Sequence, residues 1–240
     1  MRIAVLSDIH ANLPALDAVL AATGPVDAVW HTGDVVGYGP DPNGVVGRLI
    51  EVGAVGVRGN HDAAACGGRE IEAFNPDARA AMEWTRTVLS DTTKTWLADL
   101  PLRRVEGEFT LAHGSPRDPI WEYVTTASVA GANIEILTTR HGLHGHTHVP
   151  IAWRQDEGRV EPITPGDGSV LAIDERRLLL NPGSVGQARD GDPTASWMVL
   201  DTDADECTWH RVAYDIPAVQ DAMAKVGLPA RLIARLSYGI

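Results

Sequence analysis

The sequence is poor in cysteine and has no long apolar run. Cys66 and Cys207 are its two cysteines, and neither belongs to the CxxC spacing of a metal or redox motif. Two unrelated cysteines provide no disulfide framework, so we expect a reduced, cytoplasmic protein. No stretch approaches the roughly 20 apolar residues of a membrane span. The first residues, MRIAVLSDIH, lack a signal-peptide cleavage pattern. We therefore expect no association with a membrane.

Positive charge is also scarce. The chain has 20 Lys and Arg residues against 32 Asp and Glu residues, for a formal net charge of −12. Such a charge repels polyanions at long range, which argues against a nucleic-acid polymer as partner. It still allows a small anionic substrate that is attracted by local cations. With 240 residues, 44% of them hydrophobic, the chain can bury the core of a single α/β domain.

Apolar segments alternate with helical patterns in the first half of the chain. Residues 2–6 and 28–31 are predicted strands, and ANLPALDAVLAAT between them has helical spacing. A predicted helix over 44–52 and a short strand over 54–57 repeat the order. This alternation is typical of a parallel sheet with helical crossovers.

The rest of the chain differs from this pattern. Residues 63–105 are rich in helix formers and predict a helical insert or cap within one domain spanning 1–240. A strand over 108–114 and a helix over about 127–139 are expected next. Residues 150–215 contain short β-rich runs separated by Gly, Asp and Pro turns, so they predict a second, mostly antiparallel sheet.

Polar residues follow five of the predicted strands. The clusters are DIH, GD, GNHD, HG and GHTH, with first residues 8, 33, 59, 113 and 145. Any one of them is typical of a turn or a helix cap. In open α/β sheets, however, ligands bind beyond the carboxyl ends of the strands, so the shared position favours one common site. His144, His146 and His148 alternate, and in an extended strand they would share one face.

The residue types in these clusters suit transition-metal ions. Mixed His and Asp ligands favour Mn, Fe, Zn, Ni or Co over Ca or Mg. Only two of the seven candidates are anionic, so two divalent ions would leave the site positive and favour an anionic phosphoester. The candidate metal ligands are Asp8, His10, Asp34, Asn60, His113, His146 and His148.

The ordered blocks DIH, GDVVG, GNHD, AHG and GHTH resemble the calcineurin-like metallophosphoesterase superfamily. The phrases GYGPDPN, HGSPRD and NPGSVGQ resemble its branch of small bacterial phosphoesterases. The resemblance implies a four-layer αββα sandwich of two mixed sheets flanked by helices. It also implies two divalent ions, with Mn²⁺ the expected metal and Asp34 bridging them. The first ion would be held by Asp8, His10, Asp34 and His148, and the second by Asp34, Asn60, His113 and His146.

The same resemblance implies a role for His61 and none for His144. His61 would lie over the substrate phosphate as the catalytic histidine, and His144 is expected to be a packed strand residue. The superfamily's serine/threonine phosphatases carry Asp-Arg where this chain has Gly37-Tyr38. The missing Arg would clamp a doubly charged monoester, so its loss favours diesters. Substrate contacts are expected from Tyr38, Arg58 and Arg117.

The combined prediction is a hydrolase of phosphodiester or nucleotide-type substrates that uses a hydroxide held between two metals. The alternatives are a phosphomonoesterase, of the dinucleoside-polyphosphate or protein phosphatase type, and a non-catalytic metal- or nucleotide-binding sensor. A degenerate sensor would be expected to lack ligands, and none of the seven is missing. The helical insert is a candidate specificity cap or subunit contact, which leaves a homo-oligomer open.

Overall fold

Residues 1–240 are described by a computed structural model in which strands and helices alternate through the first half of the chain. The twelve strands are β1 (Arg2–Leu6), β2 (Ala28–His31), β3 (Val55–Gly56), β4 (Arg103–Glu106), β5 (Phe109–Ala112), β6 (His141–Leu143), β7 (Ile151–Asp156), β8 (Arg159–Ile163), β9 (Val170–Ala172), β10 (Arg177–Asn181), β11 (Ala195–Asp201) and β12 (Glu206–Val212). The eight α-helices are α1 (Leu13–Ala22), α2 (Pro42–Glu51), α3 (Asn60–Ala65), α4 (Pro76–Val88), α5 (Asp91–Asp99), α6 (Ala127–Ile136), α7 (Ile216–Lys225) and α8 (Ala230–Arg235). A short 3₁₀ helix covers Arg69–Ala73.

The strands form two mixed sheets of six. The first sheet has the order β3-β2-β1-β11-β12-β9, and the second has the order β4-β5-β6-β10-β7-β8. Within the first sheet β1, β2 and β3 are parallel, and within the second β5, β6 and β10 are parallel. The remaining pairs are antiparallel. The parallel strands direct their carboxyl ends to a common edge in each sheet, as the alternating pattern predicted.

Three apolar clusters separate four layers. Fourteen buried residues, including Ile3, Leu111 and Leu180, fill the space between the two sheets. A larger cluster packs most of the helices on the outer face of the first sheet. A third places Ala130 and Ile134 of α6 against the outer face of the second sheet. The protein therefore has the predicted αββα sandwich architecture.

Helix caps explain where the crossover helices begin. The side chain of Asn12 accepts a hydrogen bond from the Ala15 amide, and α1 has proline in its first turn. Asp41 caps α2 in the same way through the Gly44 amide, with Pro42 as the first helical residue. Capping and proline at the start are both helix-initiating signals. The second helix therefore starts before residue 44, the predicted start.

The β-rich region does not form a sheet of its own. Strands β7, β8 and β10 join the second sheet, whereas β9, β11 and β12 join the first. Six of the seven residues of β11 are buried, because this strand lies between β1 and β12 with layers on both faces. The prediction of a separate sheet over 150–215 is thus corrected, since local pattern does not say which sheet a strand joins.

The segment predicted as a helical insert contains α3, the 3₁₀ helix, α4 and α5. Its last residues are not helical, because β4 starts at Arg103 and pairs with β5 at the edge of the second sheet. The role of this segment as a cap stays a prediction. None of the helices in the structure combines the length and apolar character that crossing a membrane requires.

One side-chain hydrogen bond joins the two sheets and generates a stability prediction. The buried indole N–H of Trp209 on β12 donates to the carbonyl oxygen of Asn181 at the end of β10, at 2.9 Å. Trp209→Phe leaves that carbonyl without its donor, so we expect a loss of about 1–3 kcal/mol in the free energy of unfolding. Urea unfolding followed by circular dichroism measures it.

The matched control is Trp197→Phe on β11. The buried indole nitrogen of Trp197 has no hydrogen-bond partner, so the same change removes no bond there. Equal destabilisation by the two substitutions would show that the inter-sheet hydrogen bond contributes nothing.

Candidate metal centre

The seven candidate ligands meet where the parallel strands of both sheets end. Asp8 follows β1, Asp34 follows β2 and Asn60 begins α3 just after β3. On the second sheet His113 follows β5, and the GHTH segment follows β6. All seven side chains are buried. The structure therefore brings together residues that are far apart in sequence.

Backbone geometry is unusual at these positions. Nine non-glycine residues of the chain have positive φ, and five of them are candidate ligands: Asp8, His10, Asp34, His146 and His148. A left-handed conformation costs an L-residue roughly 1–2 kcal/mol. Such outliers persist where the surrounding structure enforces them, and they cluster at functional sites.

The histidine segment is a loop rather than a strand. Strand β6 ends at Leu143, and the φ angles of His146 and His148 are 65° and 61°. The expected one-face alternation of an extended chain is therefore wrong. Hydrogen bonds hold the loop instead: the Asn181 side-chain amide donates to the Gly145 carbonyl at 2.9 Å, and the His146 amide donates to Asp8 Oδ2 at 3.1 Å.

The ligand atoms form two groups that share Asp34. In each group these atoms lie within 4.8 Å of one another, a spacing that could hold a metal ion. The first group is Asp8, His10, Asp34 and His148, and the second is Asp34, His113 and His146. Asn60 adds its side-chain oxygen to the second group, 3.0 Å from Nε2 of His113.

Backbone carbonyls determine which ring nitrogen of three histidines is free. Nδ1 of His10, His113 and His148 faces the carbonyl oxygens of Val36, Thr32 and Gln187 at 3.2, 2.9 and 2.5 Å, respectively. A carbonyl accepts only, so Nδ1 carries the proton and Nε2 of the neutral ring presents a lone pair. This arrangement is typical of metal-binding histidines.

The resulting lone pairs of His10 and His148 face each other, and that of His113 faces a ring nitrogen of His146. Nε2 of His10 lies 3.1 Å from Nε2 of His148, and Nε2 of His113 lies 3.0 Å from Nδ1 of His146. In addition, Oδ1 of Asp8 is buried without a hydrogen-bond partner. Converging acceptors without protons between them fit cations, so the donor set suits divalent transition-metal ions.

Burial makes every charged form in the two groups costly in the absence of a cation. It raises the pKa of Asp8 to about 7 and the pKa of Asp34 well above its ordinary value. It lowers the pKa of His10, His113 and His148 well below the ordinary imidazole value. Both directions follow from desolvation, which disfavours carboxylate and imidazolium alike. A bound cation would reverse this penalty for the carboxylates.

His61 lies beside the first group and is positioned by packing. Its ring stacks on Phe74 at 4.4 Å between centroids, approaches Tyr38 at 4.4 Å and meets His10 edge-on at 4.9 Å. Gly37 has φ +87°, and a Cβ atom there would lie 2.4 Å from Nδ1 of His61. Gly37 stands where the serine/threonine phosphatases have Asp, and its lack of a side chain leaves space for the His61 ring.

No carboxylate orients His61. The neighbouring Asp62 is fully buried, and its oxygens accept the backbone amides of Val35, Val36 and Gly59 at 2.9–3.1 Å. Nδ1 of His61 is buried without a hydrogen-bond partner. Asp62 therefore stabilises the loop after β2, and the orientation of His61 depends on its aromatic neighbours.

A cavity of about 110 Å³ opens over the two groups and is lined in part by Tyr38 and His61. Arg58 and Arg117 do not reach it. The Arg58 guanidinium donates to the Leu100 carbonyl at 2.8 Å, beyond the end of α5, and Arg117 pairs with Glu122. The expectation that these two arginines contact substrate is not supported by the structure.

Arg189 supplies the cation that sequence reasoning missed. It lines the cavity, and its guanidinium carbon lies 5.9 Å from the centroid of the Tyr38 ring. It lies in the loop after β10, two residues after the phrase NPGSVGQ. That adjacency was the available signal, but nothing in the local pattern shows that the loop turns back to the metal groups.

Comparison with known proteins agrees with this geometry. Residues 1–205 match the calcineurin-like phosphoesterase superfamily domain. The chain belongs to this superfamily. Its class of activity is therefore phosphoric ester hydrolysis. Membership also accounts for a metal-dependent site built from Asp and His residues on two sheets.

Three proteins from other organisms resemble this chain over most of their length. An uncharacterized protein of Methanocaldococcus jannaschii is 34% identical over 99% of this chain and 98% of its own. The structure of a metallophosphoesterase from Sphaerobacter thermophilus has a TM-score of 0.93 at 45% identity, covering 100% of this chain and 99% of that one. Phosphodiesterase YfcE of Escherichia coli K12 is 26% identical over 85% of this chain and 89% of its own.

The remaining histidines lie outside both groups of this phosphoesterase. His144 is fully buried, its amide donates to the Leu180 carbonyl at 2.9 Å, and its ring is not part of either group. His31 packs against Trp96, and His210 stacks on Trp197. His141 is buried against Phe109.

The shared carboxylate generates a metal-binding prediction. Asp34 belongs to both groups, so Asp34→Asn should remove both ions, whereas His113→Ala should remove one. The measurement is manganese per chain after reconstitution and desalting, with two ions expected for the wild type. His144→Leu is the control and should keep the wild-type content. Full manganese content in Asp34→Asn would contradict a shared ligand.

Proposed function

We propose that the protein is a dinuclear-metal-dependent phosphodiesterase acting on small phosphodiester or nucleotide-type substrates. The observation that carries this proposal is the sharing of Asp34 between two groups whose other donors are mostly neutral. Two carboxylates cannot cancel the charge of two divalent ions, so the filled centre stays positive and attracts an anionic ester. A phosphodiesterase at 26% identity, YfcE, supports the choice of ester.

The proposed ligands follow the two groups. Asp8, His10, Asp34 and His148 would hold one ion, and Asp34, Asn60, His113 and His146 the other. Mn²⁺ is the proposed metal, with Fe, Zn, Ni and Co as alternatives that suit the same donors. When bound, the two ions would supply a water of lowered pKa as nucleophile and neutralise charge on the phosphate.

His61 is the proposed catalytic residue. Burial and the charge of nearby Arg189 lower the pKa of its ring well below the ordinary value. An anionic phosphate beside it would favour the protonated ring, which then stabilises the leaving oxygen and donates its proton. Phe74 and Gly37 confine the ring, and this restricted orientation supports the proposed role.

A phosphomonoesterase, of the dinucleoside-polyphosphate or protein phosphatase type, is the second candidate, and Arg189 favours it. A guanidinium in the cavity could replace the clamp that Gly37-Tyr38 lacks. Against it, one amino group of Arg189 already donates to the side chain of Gln187 at 2.9 Å. The sensor alternative is weaker, because all seven ligands are present and buried. The cytoplasmic location stays a prediction.

Metal removal tests the proposed function. Protein treated with chelator and desalted should lose hydrolysis of bis-p-nitrophenyl phosphate and regain it with Mn²⁺. The reconstituted enzyme should hydrolyse this diester with a higher kcat/KM than p-nitrophenyl phosphate, because the site lacks a free bidentate clamp. A higher value for the monoester would favour the phosphatase alternative, and no metal-dependent hydrolysis of either would favour the sensor.

Substitution of His61 tests the catalytic assignment. His61→Ala should lower kcat by roughly 10²–10⁴, the range of one general acid, while bound manganese is unchanged. His61→Gln keeps an N–H donor but transfers no proton at neutral pH, so its kcat should also fall. Loss of manganese in either variant would instead place His61 among the ligands.

A further inference from the structure

A second and larger cleft adjoins the cavity over the metal groups. Its volume is about 730 Å³, and it shares Tyr38, Asn75, Tyr123 and Arg189 with the smaller cavity. Its opposite wall is α8 and the residues that follow this helix. A substrate with its reacting phosphate at the metal groups would therefore extend into this larger space.

The charge of this cleft is opposite to that of the protein. Arg189, Arg231 and Arg235 line it, and Asp77 is the one acidic side chain of its lining. None of the three arginines forms an ion pair with an Asp or Glu side chain in the structure. A chain of net charge −12 thus places three guanidinium groups in one cleft. We call this space the basic cleft.

The arginines of α8 are arranged so that they repel each other. Arg231 and Arg235 are four residues apart and thus on one face of the helix. Burial, together with the nearby charges of Arg189 and Arg231, lowers the pKa of Arg235 to about 10. Arg235 also donates to a main-chain oxygen of Ile240, the last residue of the chain, and Arg189 donates to the side chain of Gln187. An anion between them would relieve the repulsion.

The rest of the lining suits a nucleotide. Tyr38, Tyr123 and Tyr238 provide aromatic surface, and α4 directs its N-terminal end, Asn75 to Asp77, toward the cleft. Helix N-termini favour anions. Guanidinium groups recognise phosphate through paired hydrogen bonds, which ammonium groups do less well. A phosphate group of the ligand therefore fits this lining better than an uncharged organic group does.

We propose that the basic cleft binds a second phosphate group of the substrate, so that the preferred substrates are nucleotide-type phosphodiesters with a further phosphate. This inference rests on the proposed hydrolysis at the metal groups. The reacting diester lies at those groups, and Arg231 and Arg235 contact the distal phosphate. The cleft thereby selects among small diesters by charge.

A matched pair of substrates tests the inference. Thymidine 5′-(p-nitrophenyl phosphate) and its 3′-phosphorylated form release the same p-nitrophenolate and differ only in the distal phosphate. With the manganese enzyme, we expect kcat/KM about tenfold or more higher for the 3′-phosphorylated form, the effect of one charged hydrogen bond or more. Added NaCl should reduce the ratio of these two kcat/KM values, because salt partly screens the attraction between the arginines and the distal phosphate.

Substitutions test whether the arginines cause this preference for the 3′-phosphorylated substrate. Arg231→Gln with Arg235→Gln should bring the ratio close to one, and Arg231→Glu alone should bring it to one or below. Arg231 is exposed, so its replacement tests the cleft without disturbing the core. The charge-matched control is Arg140→Gln with Arg159→Gln, two exposed arginines outside the cleft, which should keep the wild-type ratio.

The outcomes separate this inference from the proposed function. If the wild type hydrolyses both substrates with equal kcat/KM, the basic cleft does not bind the second phosphate, although the metal centre acts as proposed. If neither substrate is hydrolysed with manganese, the proposed function itself fails. A wild-type preference that survives in both the double variant and Arg231→Glu would place the distal phosphate elsewhere.

Discussion

One buried carboxylate, that of Asp34, joins the parts of the site. It belongs to both ligand groups, and its Oδ1 also accepts the backbone amide of His61 at 2.9 Å. There is no room for a side chain at position 59, because a Cβ on Gly59 would lie 2.0 Å from this same oxygen. The carboxylate therefore holds the end of β2 against the start of α3. The two ligand groups and His61 are therefore linked through this one side chain.

The sequence predicted the parts of this site that depend on chain order. Asp8 and Asp34 follow neighbouring parallel strands, so their meeting follows from the alternation of strands and helices. The seven buried ligands were likewise recognisable from ordered motifs. Strand β11 shows the limit, since its apolar run fits the centre of either sheet. Its place beside β1 depends on packing between distant segments.

Side-chain direction was the other limit. Arg58 is next to the GNHD block in sequence, yet its guanidinium points to the Leu100 carbonyl. Arg189 is far from that block and lines the cavity. The φ angles of His146 and His148 were also not predictable, since the alternation of histidines is compatible with a strand. In each case the position depends on contacts or backbone turns that local composition does not encode.

The positive φ angles of the loops bear on how far the fold depends on bound metal. Positive φ angles at five ligands are maintained by strand ends and backbone hydrogen bonds, such as that from the Val185 amide to Ser7. Small zinc-stabilised domains, by contrast, unfold when the ion is removed. Here the strand ends and the backbone hydrogen bonds of the scaffold fix the curvature of these loops. We therefore expect the fold of this protein to depend less on bound metal than the fold of those small domains does.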